Sequence, residues 1–133
     1  MSKYDACPLT YALNIIGGKW RLPILWAIHQ SGVIRYNELK RQIEGITNMM
    51  LTQSLKELEQ YGLVIITQFP EIPPRVEYRL SDSGKALIPA LKQFAGWGSD
   101  MQKLEAAALK KSRAKDWEEA DKKFDAMTLR GGL

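Results

Sequence analysis

Apolar positions recur at helical spacing over most of the chain and alternate in one central stretch. Leu9, Ala12, Leu13 and Ile16 share one face of a segment that Cys7-Pro8 opens and Gly17-Gly18 end. Pro8 suits a first helical position, where a missing N–H costs nothing. A second helix, Lys19 to Gln30, is heavily apolar through Trp20, Ile24, Leu25, Ala27 and Ile28. Pro23 is tolerated only near a first turn, which sets the start or a bend at about Trp20. Ser31-Gly32 stop this helix, and Val33-Ile34-Arg35 reads as a short strand.

The pattern predicts a third helix over Tyr36 to Ile43, with Tyr36, Leu39 and Ile43 inward and Lys40 and Arg41 outward. Glu44-Gly45-Ile46 makes a tight turn, and Thr47 is an N-cap for a fourth helix over 48–60. Leu51, Leu55 and Leu58 form that helix's seam. Gly62 supplies a left-handed cap, and Leu63 folds back on the seam. Val64 to Gln68 is rich in β-branched residues. After a loop stiffened by Pro70, Pro73 and Pro74, Val76, Tyr78 and Leu80 alternate with Arg75, Glu77 and Arg79. Helix, turn, helix, then a two-stranded wing is the order of a winged helix-turn-helix, mainly α with a small β-hairpin.

Ser81-Asp82 caps a long last helix whose stripe runs through Leu87, Leu91, Phe94, Trp97, Met101, Leu104 and Ala108, with Pro89 placed to bend it. Such a helix, roughly 40 Å long at about 1.5 Å per residue, exceeds what one small domain covers. The surplus stripe calls for a partner, and a two-fold copy of the chain is the simplest supply. Leu9 and Leu13 of the first helix join Leu91, Phe94, Trp97, Met101 and Leu104 as candidate dimer contacts, and Gly96 and Gly98 permit close approach. Residues 1–111 form the expected domain with its dimerisation helices. Residues 112–133 form a helical extension carrying Trp117, Ala120, Phe124 and Met127 at helical spacing.

Length and composition narrow the class. At 133 residues with 45% hydrophobic and 26% charged, this is one ordinary globular domain with a decoration. A single cysteine excludes an internal disulfide, and no metal-ligand spacing or cofactor motif is present. Neither a signal-peptide core nor a membrane span is visible, so a cytoplasmic location is expected. The net charge of +4 is a mild bias toward a polyanion.

The placement of charge says more than its total. Opposite its leucine seam the fourth helix presents Asn48, Met49, Thr52, Gln53 and Lys56, and its N-terminal half carries no charge. Asn and Gln can read adenine bidentately, and Thr and Met can meet a thymine methyl. Lys56, with Lys40 and Arg41 before the turn and Arg75 and Arg79 in the hairpin, is placed to hold phosphates. Lys19 and Arg21 are weaker candidates of the same kind. Glu57 and Glu59 lie at the helix's far end, away from the groove. The competing class is a winged helix that meets another protein, which would not bind duplex DNA at physiological salt.

The chain resembles the HxlR-type family of bacterial winged-helix regulators, relatives of the MarR group. The resemblance rests on Cys7-Pro8, Ile16-Gly17-Gly18-Lys19-Trp20, Arg35-Tyr36-Asn37-Glu38-Leu39, Gly45-Ile46-Thr47, Gly62-Leu63-Val64, Pro73-Pro74-Arg75-Val76-Glu77-Tyr78, Gly84 and Trp97-Gly98. It implies a homodimer on a pseudo-palindromic operator, the fourth helix in the major groove and the wing at the backbone or minor groove. Pro23, where an aliphatic residue is usual, and the long tail depart from the pattern.

Cys7 has two readings. Before Pro8 it stands at a helix N-cap, where free N–H groups favour a thiolate able to sense oxidants or electrophiles such as quinones and aldehydes. Some members of the resembled family sense through a cysteine at the matching position. Alternatively it is a small apolar residue, inert in a dimer contact. His29 is a lone residue near a helix end, and with Cys7 it lacks the orienting group an enzyme would need. The apolar space between dimer helices admits a small hydrophobic effector that the sequence does not identify.

Overall fold

The computed structural model describes residues 7–113. These form α1 (Pro8–Ile16), α2 (Arg21–Ser31), β1 (Val33–Arg35), α3 (Tyr36–Gln42), α4 (Asn48–Gln60), β2 (Val64–Phe69), β3 (Arg75–Leu80) and α5 (Asp82–Arg113). The extension's Trp117, Ala120, Phe124 and Met127 lie outside the described residues. The chain divides into two compact units, one ending at Pro89 and the other beginning at Ala90.

The core of the first unit is built on α2, which packs against α3, α4, β1 and β3. Ile24, Leu25 and Ile28 of α2, Leu39 of α3 and Leu51, Leu55 and Leu58 of α4 are almost completely buried. Each contributes about 1.5–3 kcal/mol relative to an exposed side chain. Pro23 is the third residue of α2, inside the first turn where proline is tolerated. Two helices differ slightly from the sequence reading: α2 begins at Arg21 and α3 ends at Gln42.

The sheet has three antiparallel strands in the order β1-β3-β2, so β1 extends the hairpin. Ile34 pairs with Tyr78, Ile66 pairs with the same Tyr78, and Phe69 pairs with Arg75 at the loop end. Tyr78 and Leu80 are buried while Arg79 between them is exposed, as the alternation predicts, but Arg75, Val76 and Glu77 toward the loop are all half-buried. Where α5 begins, the Ser81 hydroxyl accepts from Gly84 N–H at 3.1 Å and Ser81 N–H donates to Leu63 O at 3.0 Å. The approach is so close that a Cβ on Gly84 would stand 2.3 Å from that carbonyl oxygen.

In the second unit α5 carries Leu91 buried and Met101 and Leu104 half-buried, but leaves Phe94 57% and Trp97 62% exposed. Those two rings meet edge-on with centroids 6.2 Å apart. Among the described residues no helix is long and apolar enough to cross a membrane.

Candidate nucleic-acid interface

Helix α4 is fixed at both ends and along its back. Thr47 caps it, its hydroxyl accepting from Met50 N–H at 3.1 Å. At the other end Gly62 has φ +77° and Leu63 N–H returns to Leu58 O at 3.0 Å, which satisfies carbonyls the helix leaves open. Gly45, at φ +83°, makes the turn from α3. With Leu51, Ser54, Leu55 and Leu58 buried, the opposite face is committed to solvent. On that face Asn48, Met49, Thr52, Gln53 and Lys56 are all exposed, as the sequence pattern predicts.

Tyr36 corrects the sequence reading. Rather than pointing inward it is half-exposed, and its hydroxyl reaches Asn48 O at 3.1 Å, Asn48 Oδ1 at 3.2 Å and Thr52 Oγ1 at 3.2 Å. One phenol proton serves one acceptor at a time, and the Thr52 hydroxyl can donate in return. Tyr36 thus joins α3 to two side chains of the α4 front. The available signal was the hydroxyl itself, since a tyrosine at an apolar position needs a polar partner.

Glu57 is a second such residue. Read from sequence as remote from the groove, it accepts from Gln53 Nε2 at 2.9 Å through Oε1. Through Oε2 it accepts from Arg21 Nη2. The same guanidinium donates to Ile15 O at 2.7 Å and Asn14 O at 3.2 Å in the last turn of α1. The Arg21 hydrogen bond, then that of Gln53, holds the Glu57 carboxyl below the usual range.

The cations fall into two groups. Arg21 is paired with Glu57, and Arg41 with Glu38, whose carboxyl is lowered chiefly by that hydrogen bond. Arg75 stacks over the Phe69 ring at 4.1 Å and lies 3.3 Å from Glu71 and 3.5 Å from Glu77. It braces the wing loop from within. By contrast Lys56 and Arg79 are exposed and Lys40 half-exposed, with no ion-pair partner among the described residues. Lys19, also exposed, lies over the Trp20 ring at 4.7 Å.

Cys7 is exposed at the N-cap of α1. Its thiol makes no full capping hydrogen bond. The backbone N–H groups of Leu9 and Thr10 nevertheless stabilise the thiolate and lower its pKa from the ordinary thiol value. Leu9 and Leu13 of the same helix are 69% and 52% exposed.

A capped helix with an open polar front, preceded by a helix and tight turn and followed by a basic wing, defines a winged helix-turn-helix protein. The model of the HxlR-like helix-turn-helix family matches residues 15–106. An uncharacterized HTH-type transcriptional regulator of Halalkalibacterium halodurans is 45% identical over 91 residues, which span 68% of this chain and 80% of the relative. The redox regulator HypR in its reduced form is 35% identical with a TM-score of 0.71, covering 76% of this chain and 99% of that one. Diamide-treated YodB of B. subtilis is 31% identical with a TM-score of 0.60, covering 72% and 95%. The chain belongs to the HxlR-like helix-turn-helix family, within the MarR-like winged-helix regulators. It is a DNA-binding transcriptional regulator, and this family is not one of enzymes.

Proposed function

We propose that the protein is a homodimeric regulator that reads a pseudo-palindromic operator with Asn48, Met49, Thr52 and Gln53 of α4. The observation that carries this is the open front of a helix whose back is sealed in the core, a front uncharged through its N-terminal half. Phosphate contact falls most directly to Lys19, Lys40, Lys56 and Arg79, which have no ion-pair partner among the described residues. Arg41 and Arg75 reach the backbone only as far as their carboxylate partners leave them free, and Arg21, committed to Glu57 and the end of α1, is withdrawn from phosphate contact. A two-fold dimer would set its reading helices about 34 Å apart, one helical turn of DNA, or a multiple of that. The open leucines of α1 and the open Phe94 and Trp97 of α5 support dimerisation through these helices.

Cys7 is the proposed sensor of oxidants or electrophiles. Its exposure and lowered pKa support that role, as does the similarity to a protein described as a redox regulator. With one cysteine per chain, oxidation would yield an intersubunit disulfide or a mixed disulfide with a small thiol.

Fluorescence anisotropy on the gene's upstream DNA against a scrambled duplex, at two salt concentrations, tests the DNA reading. Binding at least about tenfold tighter on the upstream duplex, weakening steeply with salt, is expected. Gln53→Ala should cost about 1–3 kcal/mol of discrimination. Equal losses on both duplexes would remove Gln53 from base reading. For Cys7, diamide or methylglyoxal should change operator affinity in the wild type and not in Cys7→Ser. Modified Cys7 with unchanged affinity ends that reading.

A further inference from the structure

Gln53, like Asn48, is a proposed base-reading side chain whose amide has two unlike ends and so needs a fixed orientation. Its amide offers an acceptor at one end and a donor pair at the other, and only one order along the groove matches the N6 donor and N7 acceptor of adenine. A carboxylate accepts and never donates. Glu57 Oε1 therefore takes one Nε2 proton of Gln53, leaving the second proton and Oε1 for a base. Glu57 is itself held by its other oxygen to Arg21, which grips the two carbonyls at the end of α1. A cation there also meets the negative end of that helix's dipole. Arg21 and Glu57 are 36 positions apart, so tertiary packing and not helical neighbourhood makes this link.

We infer that Arg21 and Glu57 are positioning residues for base readout, fixing the order of the Gln53 amide and tethering it to the last turn of α1. The inference rests on the base-reading role proposed for Gln53. One end of α1 carries Cys7 and the other ends in the carbonyls Arg21 holds, so a single short helix lies between the thiol and the tether. The pair makes no contact with DNA in this scheme. Its effect is on which base pair is preferred.

Selection of duplexes from a random library, followed by affinity measurement on single-base variants, tests it. Gln53→Ala should relax one base pair in each half-site. Glu57→Gln keeps the shape of the side chain but can donate as well as accept, so the amide order is no longer imposed. It should relax that same base pair by roughly three- to tenfold, while affinity for random duplex rises because an acidic group is removed. Arg21→Ala should relax the same position, and neither change should add to Gln53→Ala there.

If Glu57→Gln and Arg21→Ala keep the wild-type preference while Gln53→Ala loses it, the relay is overturned and the reading role stands. Parallel weakening on every duplex with a lowered Tm would make the pair merely structural, which also overturns it. If Gln53→Ala relaxes no position, the reading role itself fails and the relay with it.

Discussion

Helices α1 and α4 are both amphipathic and are held in opposite ways. α4 buries four of its residues and is pinned by Thr47 at one end and by the Gly62 turn at the other. α1 buries none, shows Leu9 and Leu13 to solvent, and is gripped at its C-terminal end by Arg21. One helix is completed inside the chain and the other has an apolar face still to be covered. An amphipathic pattern therefore states that a face will be covered, not what covers it. If the proposed roles hold, the element that would read bases is the one sealed into the core, and the element that carries Cys7 is one that buries no residue.

Substitutions can break that contrast. Leu55→Ala, in the sealed back of α4, should lower the unfolding free energy by about 2–5 kcal/mol in urea denaturation, because it leaves a cavity that neighbours only partly fill. A loss under about 1 kcal/mol would mean that α4 is not held as described. Thr47→Ala removes the cap and should cost about 1 kcal/mol, with operator affinity falling as the first turn of α4 loosens.

Leu13→Ala is the counterpart in α1. At concentrations where the chain is monomeric it should change stability by no more than about 0.5 kcal/mol, as at other open surface sites. Sedimentation should nonetheless show weaker self-association, and a variant that associates like wild type would take α1 out of the dimer contact. Acid gives the smallest effect. Glu57 has its folded pKa below the unfolded value of about 4.3, so its stabilisation is present above that pH. It is lost as pH falls through the folded value, and solvent screening keeps it modest. Glu57→Gln should flatten this part of the acid limb in a stability–pH series.

Much of the scaffold was legible without the structure because it is decided locally. Thr47 is a cap wherever the next residues are helical, Gly62 takes a positive φ that other residues avoid, and Leu51, Leu55 and Leu58 fall on one side of any helix through them. The open front of α4 follows from the same arithmetic. The hairpin was readable from the β-branched run of β2 and the alternation of β3, and α5 from its cap and stripe.

The partners of the polar groups were not readable that way. Periodicity set Tyr36 on the side of Leu39 and Ile43, yet its hydroxyl draws it to Asn48 and Thr52. Sequence made Arg21 and Arg75 two more free cations. Tertiary structure spends the first on Glu57 and α1 and lays the second over Phe69. β1 reaches β3 only because α2 and α3 carry it back across the chain. Sequence by itself determined the elements, their ends to within a residue or two, and which face of α4 is open, since these depend on residues within a turn or two. Which basic side chains are paired, and which partners the polar side chains of α4 take, only tertiary structure decided, because a hydrogen bond between distant positions exists only once the core has brought their elements together.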